Sequence, residues 1–429
     1  MDHPRTPLVL VTGLQRDLTA RTAEALLHRP GTVVVHHDVS ALGQGVVVRT
    51  ERALTAAGVT EVTTAVELAH GCLSCTLRSD LLPLLRALSR RDDVQRIVLH
   101  LDPALEPEYL CWSIAEVVLD REPAAEPETA GDWVQVEAVL AVVAAATWLA
   151  DATGDDTLAD RGLAATPDDE RTLAQVAVGQ VACADAVLLA GPPAGAWEGA
   201  QLDAVLDRLV PSALRADVRL PVERVLTALG PDARRGRLPS PHEPLLAGQP
   251  PLGEDCGVQL VHLTADRPFH PERLHAALDT LLDGVVCSHG RVWLATQHDR
   301  VLWLESAGSG LRVGEVGPWL ATLADDAVEW TAVEPERRAA AALRWHPVHG
   351  DRHSELVVLA HRQPAGSVTA ALTAALLTDA ELAAGPAAWA ALPDPFGSWH
   401  EDPCEASTPA EPTPADQNSP HATPREERS

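Results

Sequence analysis

Two cysteines separated by two residues are the clearest chemical feature of this 429-residue chain. Cys72 and Cys75 lie in the run HGCLSC, and this spacing lets two thiolates hold one zinc ion from a single turn. His70 is close enough in sequence to supply a third ligand, which would leave the fourth coordination position open for exchange. The alternative is that both cysteines are reduced, small residues buried at a strand-to-helix corner. The sequence leaves both interpretations open.

The second chemical feature is an incomplete phosphate-binding loop near the N-terminus. Residues 8–20 read LVLVTGLQRDLTA, an apolar strand that breaks at Gly13 and continues into a helix. A P-loop needs a glycine-rich turn, a lysine that bridges the phosphates and a hydroxyl group that binds magnesium. Thr19 stands where the lysine should be, and the chain contains no lysine at all. Gly13, Thr19 and Thr22 are therefore the candidate remnants of a nucleotide site.

The elements that must position these motifs alternate between strand and helix. Apolar runs predict buried strands, and leucines at helical spacing predict helices between them. The predicted strands are 8–12, 32–36, 62–68, 96–101, 136–149 and 184–191, and two of the predicted helices are 79–90 and 107–119. This alternation is typical of an α/β fold with a P-loop-like, mostly parallel sheet flanked by helices.

The composition also divides the chain. Residues 230–256 are rich in Pro and Gly without an apolar period, which predicts a linker. The division gives a first domain over 6–229 and a smaller α+β domain over 257–392, with a strand pair at 290–306. From 393 to 429 the chain is acidic and rich in Pro, Ser and Thr, so we expect a disordered tail there.

The charge and the cysteine content limit the partners and the compartment. The chain has 61 acidic residues against 33 arginines, a net charge of −28, which argues against direct nucleic-acid binding and favours a partner with a basic surface. Seven scattered cysteines do not resemble a secreted disulfide framework. We find no signal sequence and no long apolar stretch, so the expectation is a cytoplasmic protein without a membrane partner.

Three separated sequence stretches together resemble one known family. HGCLSCTLRSDL at 70–81, GVQLVHLTADRPFHPERLHAALD and HPVHGDRHSELVVLA are similar to the CobW-type metallochaperone GTPases, over roughly residues 6–385. The resemblance implies a nucleotide-binding domain of the CobW/HypB/UreG kind followed by a CobW C-terminal domain. Within the family, the chain most resembles a divergent branch implicated in low-zinc adaptation, which includes factors that recruit a hibernation-promoting protein to ribosomes.

The chain departs from the pattern of this family at the phosphate loop and at the cysteines. Leu18, Thr19 and Ala20 stand where the family has its second glycine, its lysine and its magnesium-binding hydroxyl residue. A shift of one residue brings Thr19 or Thr22 nearer the hydroxyl position but restores no lysine. Ser74 stands at the third cysteine of the family motif.

Two further parts of the expected nucleotide site are also absent from the sequence. His100 and Pro103 occupy the positions of an acidic residue and a glycine, and residues 190–193 replace the guanine-specifying Asn-Lys-x-Asp segment with AGPP. Phosphoryl transfer depends on positioning and charge stabilisation by such groups. The sequence therefore favours a protein that does not hydrolyse GTP, with no catalytic residue and with GTP and magnesium not expected.

The resemblance and these departures lead to two hypotheses about function. The first is a non-catalytic adaptor in zinc-limited cytoplasm, which recruits a basic protein such as a ribosome-associated hibernation factor. The second is a zinc metallochaperone in which Cys72 and Cys75 pass zinc to a client protein, with or without residual GTP binding.

Histidines and tryptophans complete the set of candidate residues. His36 and His37 end the second strand at the sheet edge where α/β proteins bind ligands, but we expect them to be partly exposed surface. The three histidines of HPVHGDRH at 346–353 are expected to be mostly structural. Trp293 and Trp303 are predicted core residues because they alternate with apolar neighbours.

Overall fold

The computed structural model describes residues 4–68, 71–119, 127–246, 248–323, 330 and 333–397. The described residues up to Pro395 form one compact unit. Most of the tail that the sequence predicts to be disordered lies outside the described residues. Among the helices of the described ranges, none combines the length and apolar character needed to cross a membrane.

The larger sheet has eight strands. In chain order they are β1 (Thr6–Thr12), β2 (Thr32–Asp38), β3 (Val46–Thr55), β4 (Gly58–Glu67), β5 (Arg96–His100), β6 (Val134–Ala144), β7 (Ala186–Ala190) and β8 (Leu214–Asp217). Their spatial order is β4-β3-β2-β5-β1-β6-β7-β8. Six neighbouring strands, β2-β5-β1-β6-β7-β8, pair in parallel. The central ones are almost wholly buried. This arrangement confirms the predicted mostly parallel sheet.

Helices cover this sheet and bury its aliphatic side chains. They are α1 (Arg16–Ala25), α2 (Leu73–Thr76), α3 (Leu82–Ser89), α4 (Pro107–Glu116), α5 (Trp148–Thr153), α6 (Leu173–Ala182), α7 (Ala196–Leu209) and α8 (Val222–Ala228). A π-helical turn at Leu77–Leu81 joins α2 to α3 without a break. The helix predicted over 107–119 ends at Glu116, because the chain there passes to an extended conformation at Val117.

The strand predicted at 62–68 belongs to a long hairpin that the sequence did not predict. β3 pairs antiparallel with β2 on one side and with β4 on the other. β4 is the outermost strand, and most of its residues are exposed. The polar, exposed alternation of this region gave little hydrophobic signal for β3. The hairpin leads directly into the cysteine motif.

The smaller sheet is antiparallel and has five strands. They are β9 (Gln259–Ala265), β10 (Val285–Val292), β11 (Arg300–Ala307), β12 (Gly310–Pro318) and β13 (Ser354–Ala360), arranged β12-β11-β10-β13-β9. The helices with this sheet are α9 (Pro271–Ala277), α10 (Pro335–Arg344), α11 (Ala365–Ala374), α12 (Asp379–Ala384) and α13 (Pro386–Trp389). The α+β character predicted from the sequence is confirmed.

Segment 230–256 connects the two sheets and is held by polar contacts along its length. The backbone amide of Arg235 donates to the Asp185 carboxylate (2.9 Å), and the buried Arg291 guanidinium donates to the carbonyl oxygen of Pro241 (2.9 Å). Apolar side chains of the segment, such as Leu245 and Leu246, also pack against the core.

Candidate functional site

The turn after β1 packs tightly against the neighbouring strand. Gly13 has a φ of +154°, and a Cβ atom added to it would lie 2.4 Å from the carbonyl oxygen of Val142 on β6. A larger residue would force the turn away from the sheet. Gly13 is therefore needed for the fold of this corner, whether or not a ligand binds there.

The helix after this turn begins early. Gln15 is the residue before α1, and its carbonyl oxygen accepts hydrogen bonds from the amides of Leu18 (3.0 Å) and Thr19 (3.1 Å). In a P-loop the amides of the turn point towards the phosphates. Here the amides at two of those positions are used in the first turn of the helix.

Thr19 and His100 are bonded to each other beneath this helix. The Thr19 hydroxyl lies 2.8 Å from Nε2 of His100 and also donates to the carbonyl oxygen of Arg16 (2.9 Å). Burial lowers the pKa of His100 to about 3, assisted by His36 and the positive charges of Arg52 and Arg16. The positions at which the resembled family has a lysine and an acidic residue therefore hold an uncharged, mutually bonded pair.

Three further hydrogen bonds lie at the same corner. Arg16 donates to the buried carboxylate of Asp102 at 3.2 Å, which also accepts the backbone amide of Ala104 at 3.1 Å. Burial nevertheless raises the pKa of Asp102. The hydroxyl of Thr22 donates to the carbonyl oxygen of Leu18 (2.9 Å), as helical threonines commonly do.

The two histidines at the end of β2 have different surroundings. His36 stacks on His100 with ring centroids 4.3 Å apart and is partly exposed, as predicted. His37 is 2% exposed, and its Nε2 atom lies 2.7 Å from the carboxylate of Asp80. The expectation of an exposed His37 was wrong, because the π-helical turn carries Asp80 to it and Arg49 completes the cluster.

The cysteine pair lies at the beginning of α2. Cys72 precedes the helix, and its Sγ atom accepts the backbone amide of Cys75 at 3.3 Å. Both side chains are half-buried and neither forms a disulfide. His70, the expected third ligand, lies outside the described residues. Within the described ranges, no group of three or more His, Cys, Asp or Glu side chains is arranged to hold a metal ion.

Ser74, one of the two residues between the cysteines, links the motif to α4. The Ser74 hydroxyl lies 2.9 Å from the phenolic oxygen of Tyr109. Tyr109 in turn stacks on Trp112, with ring centroids 5.7 Å apart. The position that carries a third cysteine in the resembled family is thus a polar contact to an aromatic pair.

The histidines of 346–353 have structural roles, in agreement with the expectation. Nδ1 of His346 accepts the backbone amide of His349 (3.3 Å), and Nδ1 of His353 bonds to the carbonyl oxygen of Asp351 (2.8 Å). Gly350 has a φ of +65°, which the turn requires. The rings of His346 and His349 stack with centroids 4.9 Å apart, whereas His353 lies beside Glu355.

A different polar cluster in the smaller sheet was not predicted from the sequence. The Glu355 carboxylate is bonded to Arg291 and His262 (3.0 Å), and lies 3.4 Å from Arg344 and 3.8 Å from His353. Burial alone would raise the pKa of Glu355, but the nearby His353, the hydrogen bond with His262 and the charges of Arg291 and Arg344 hold it well below its ordinary value. These partners come from separate strands and helices, so no local pattern identifies them.

Two family models match the chain. The CobW/HypB/UreG nucleotide-binding domain matches residues 41–191, beginning after the strand, turn and helix at the N-terminus. The cobalamin synthesis protein cobW C-terminal domain matches residues 258–376. The two models appear in the chain in the order that the resemblance implied.

Named relatives and a solved structure are similar to this chain to different degrees. A protein of Mycobacterium tuberculosis (strain H37Rv) named zinc chaperone is 46% identical over 401 residues, covering 93% of this chain and 95% of the relative. Zinc-regulated GTPase metalloprotein activator 1 of Dictyostelium discoideum is 26% identical, covering 78% of this chain and 71% of the relative. The crystal structure of Zn(II)-bound YjiA GTPase from E. coli is 14% identical, with a TM-score of 0.37, covering 87% of this chain and all of that one.

The fold has the parallel sheet and the antiparallel C-terminal sheet in the order of the two matching models. The identity to the mycobacterial relative extends over almost the whole of both chains. The chain belongs to the CobW family, with a CobW/HypB/UreG nucleotide-binding domain followed by a CobW C-terminal domain.

Proposed function

We propose that this protein is a zinc carrier that delivers the metal to a protein client without a GTP cycle. Cys72 and Cys75 hold zinc together with a third ligand, for which His70 is the candidate. An open fourth position suits transfer better than permanent storage.

The observation that carries the proposal is the bond between Thr19 and His100. Neither a threonine nor a neutral histidine carries a positive charge to neutralise phosphate, and the Thr19 hydroxyl that could bind magnesium is already bonded to His100 and to the carbonyl oxygen of Arg16. Phosphoryl transfer needs both functions. The helical amides of Leu18 and Thr19 support the same interpretation. With this pair in place, Gly13, Thr19 and Thr22 serve the packing of the sheet corner.

Support for zinc comes from the cysteine geometry and from the relatives. Cys72 and Cys75 lie in one turn, with the backbone amide of Cys75 3.3 Å from Sγ of Cys72, and this spacing lets two thiolates hold one zinc ion. The mycobacterial relative is named zinc chaperone, and the Dictyostelium relative is named zinc-regulated GTPase metalloprotein activator 1. Both names imply a protein client for those relatives, and we extend this to the present chain.

A combined zinc and GTP titration tests the proposal. We expect one zinc per chain by elemental analysis, lost in a Cys72→Ser, Cys75→Ser variant and retained in a Cys256→Ser control, whose half-buried cysteine lies outside the motif. Calorimetry with magnesium and GTP should give no binding heat. Zinc binding that survives loss of both motif cysteines would overturn the metal site, and GTP binding at micromolar concentration would overturn the nucleotide-free mechanism.

The acidic charge favours a second candidate function, the recruitment of a basic protein in zinc-limited cytoplasm. A net charge of −28 attracts a basic partner and repels nucleic acid. A ribosome-associated hibernation factor is the partner we propose for this role. Pull-downs from zinc-starved cells should recover it in a complex that weakens with salt and needs no GTP, and recovery of no ribosomal or hibernation component would exclude this role.

A further inference from the structure

The solvent face of α4 carries a tryptophan between two carboxylates. Glu108, Trp112 and Glu116 are four residues apart, so their side chains follow one another along one face of the helix. All three are exposed, and Trp112 is 40% exposed. The opposite face, with Leu110, Cys111 and Ile114 among others, is buried in the core. Trp112 is therefore only partly covered, on the face of α4 away from that core.

This helix face is joined to the cysteine motif by direct contacts. The ring of Trp112 stacks on Tyr109 with an interplanar angle of 21°, and the phenolic oxygen of Tyr109 bonds to Ser74 between the two cysteines. A molecule that lies on Trp112 is therefore two side chains away from the proposed zinc ligands. We call Glu108, Tyr109, Trp112 and Glu116 the α4 stripe.

The α4 stripe carries two carboxylates and no basic side chain. Desolvation and the nearby carboxylates of Glu305 and Glu106 raise the pKa of Glu108, while the charges of Arg312 and Arg234 act in the opposite direction. A cationic group placed beside these carboxylates would relieve their mutual repulsion and would also interact with the faces of the two aromatic rings. A phosphate backbone placed there would be repelled.

We propose that the α4 stripe is the docking surface for an arginine-bearing segment of the protein client. The occupant follows from charge complementarity and from ring faces that a planar guanidinium can stack on. The inference rests on the proposed function, because it assigns the surface through which a client reaches the cysteine motif. Docking on α4 brings the receiving ligands of the client next to Cys72 and Cys75 before the metal is transferred.

The test uses the full chain and two fluorescein-labelled peptides of equal length, one of alternating Arg and Gly and one of alternating Glu and Gly. We expect the arginine peptide to bind at low salt and the glutamate peptide not to bind. Trp112→Ala should weaken arginine-peptide binding about fivefold. Trp197→Ala is the matched control, since Trp197 is 58% exposed on a different helix, α7, and should leave the affinity unchanged.

Hydrogen–deuterium exchange locates the bound peptide independently of any substitution. Saturating arginine peptide should slow exchange in residues 107–116 and leave α7 unchanged. Equal losses of affinity in the two tryptophan variants, or protection confined to regions away from α4, would overturn the proposal.

The zinc titration separates this inference from the function on which it rests. Trp112→Ala should bind zinc in the same stoichiometry as the unmodified chain. If zinc binds at the cysteines but the arginine peptide does not protect α4, the docking surface is wrong and the zinc carrier stands. If the peptide protects α4 but the cysteines bind no zinc, the carrier is wrong and the docking surface stands.

Discussion

The corner around Thr19 and the cluster around Glu355 bury polar groups in opposite ways. At Thr19, a neutral hydroxyl and a neutral imidazole satisfy each other. At Glu355, a buried carboxylate has two arginines and two histidines around it. Buried charge is retained at the second place because it links separate segments, including the connecting segment that Arg291 holds.

The difference shows which polar groups the fold depends on. A buried hydrogen bond between neutral groups contributes about 1 kcal/mol, whereas a buried charge that loses its partner costs several times as much. The contact between Thr19 and His100 therefore contributes little beyond packing, whereas the cluster around Glu355 depends on compensated charge. The following predictions test this contrast, from the largest effect to the smallest.

Removing the charge of Glu355 should have the largest effect. Glu355→Gln leaves Arg291 buried beside a neutral amide, so we expect a loss of about 3–5 kcal/mol in the free energy of unfolding. Urea denaturation followed by tryptophan fluorescence measures it. A loss below 1 kcal/mol would show that the cluster does not hold the smaller sheet together.

Acidification should destabilise the corner at His100 next. The pKa of His100 is about 3 in the folded chain and about 6.5 when unfolded, so the unfolded state takes up the proton first. Stability from this group is complete above pH 6.5 and is lost as the pH falls towards 3. Between pH 7 and pH 5 the loss is about 2 kcal/mol.

His100→Asn is the control for this pH dependence. The variant cannot take up the proton, so its free energy of unfolding should fall less between pH 7 and pH 5 than that of the unmodified chain. Parallel curves for the two proteins would mean that His100 does not remain neutral in the folded state.

Breaking the hydrogen bond between Thr19 and His100 should lower the free energy of unfolding by less than Glu355→Gln or acidification to pH 5 does. Thr19→Val keeps the shape of the side chain but leaves Nε2 of His100 without this hydroxyl, for an expected loss of about 1.5 kcal/mol at pH 7. A double variant with His100→Leu should lose less than the sum of the two single variants. Strict additivity would show that the 2.8 Å contact contributes nothing.

An exposed ion pair in the same sheet as Glu355 gives the smallest effect. Arg300 and Glu315 are bonded at 2.6 Å, but their side chains are 48% and 36% exposed. Glu315→Gln should change the free energy of unfolding by less than about 1 kcal/mol. An effect as large as that of Glu355→Gln would show that burial does not decide how much a carboxylate contributes to stability here.

Much of the fold could be predicted from the sequence because the central strands are apolar runs. The strand predicted at 96–101 was confirmed as β5, and the second strand of the pair at 290–306 as β11. The first strand of that pair was misplaced, because β10 runs from Val285 to Val292. β3 is mostly half-buried and mixes polar with apolar residues, so it has no clear apolar face in the sequence. The domain boundaries at 230–256 remain a prediction.

The candidate site was less predictable because its contacts are between residues far apart in sequence. The types of Thr19 and His100 were evident, but their bond spans 81 positions. His37 is buried beside Asp80. Asp80 lies in the π-helical turn, which the sequence did not predict. In the α4 stripe, by contrast, Glu108, Trp112 and Glu116 are four residues apart. The helix predicted over 107–119 already places them on one face.

The π-helical turn at Leu77–Leu81 has a consequence for how the cysteine motif could change in evolution. Such a turn holds one residue more than an α-helical turn, and each residue of a helix corresponds to a rotation of about 100°. Deleting a single codon there would leave a continuous helix while rotating Cys72 and Cys75 relative to α3. The insertion that produced this turn would thus have set the direction in which the thiols point, without altering either cysteine.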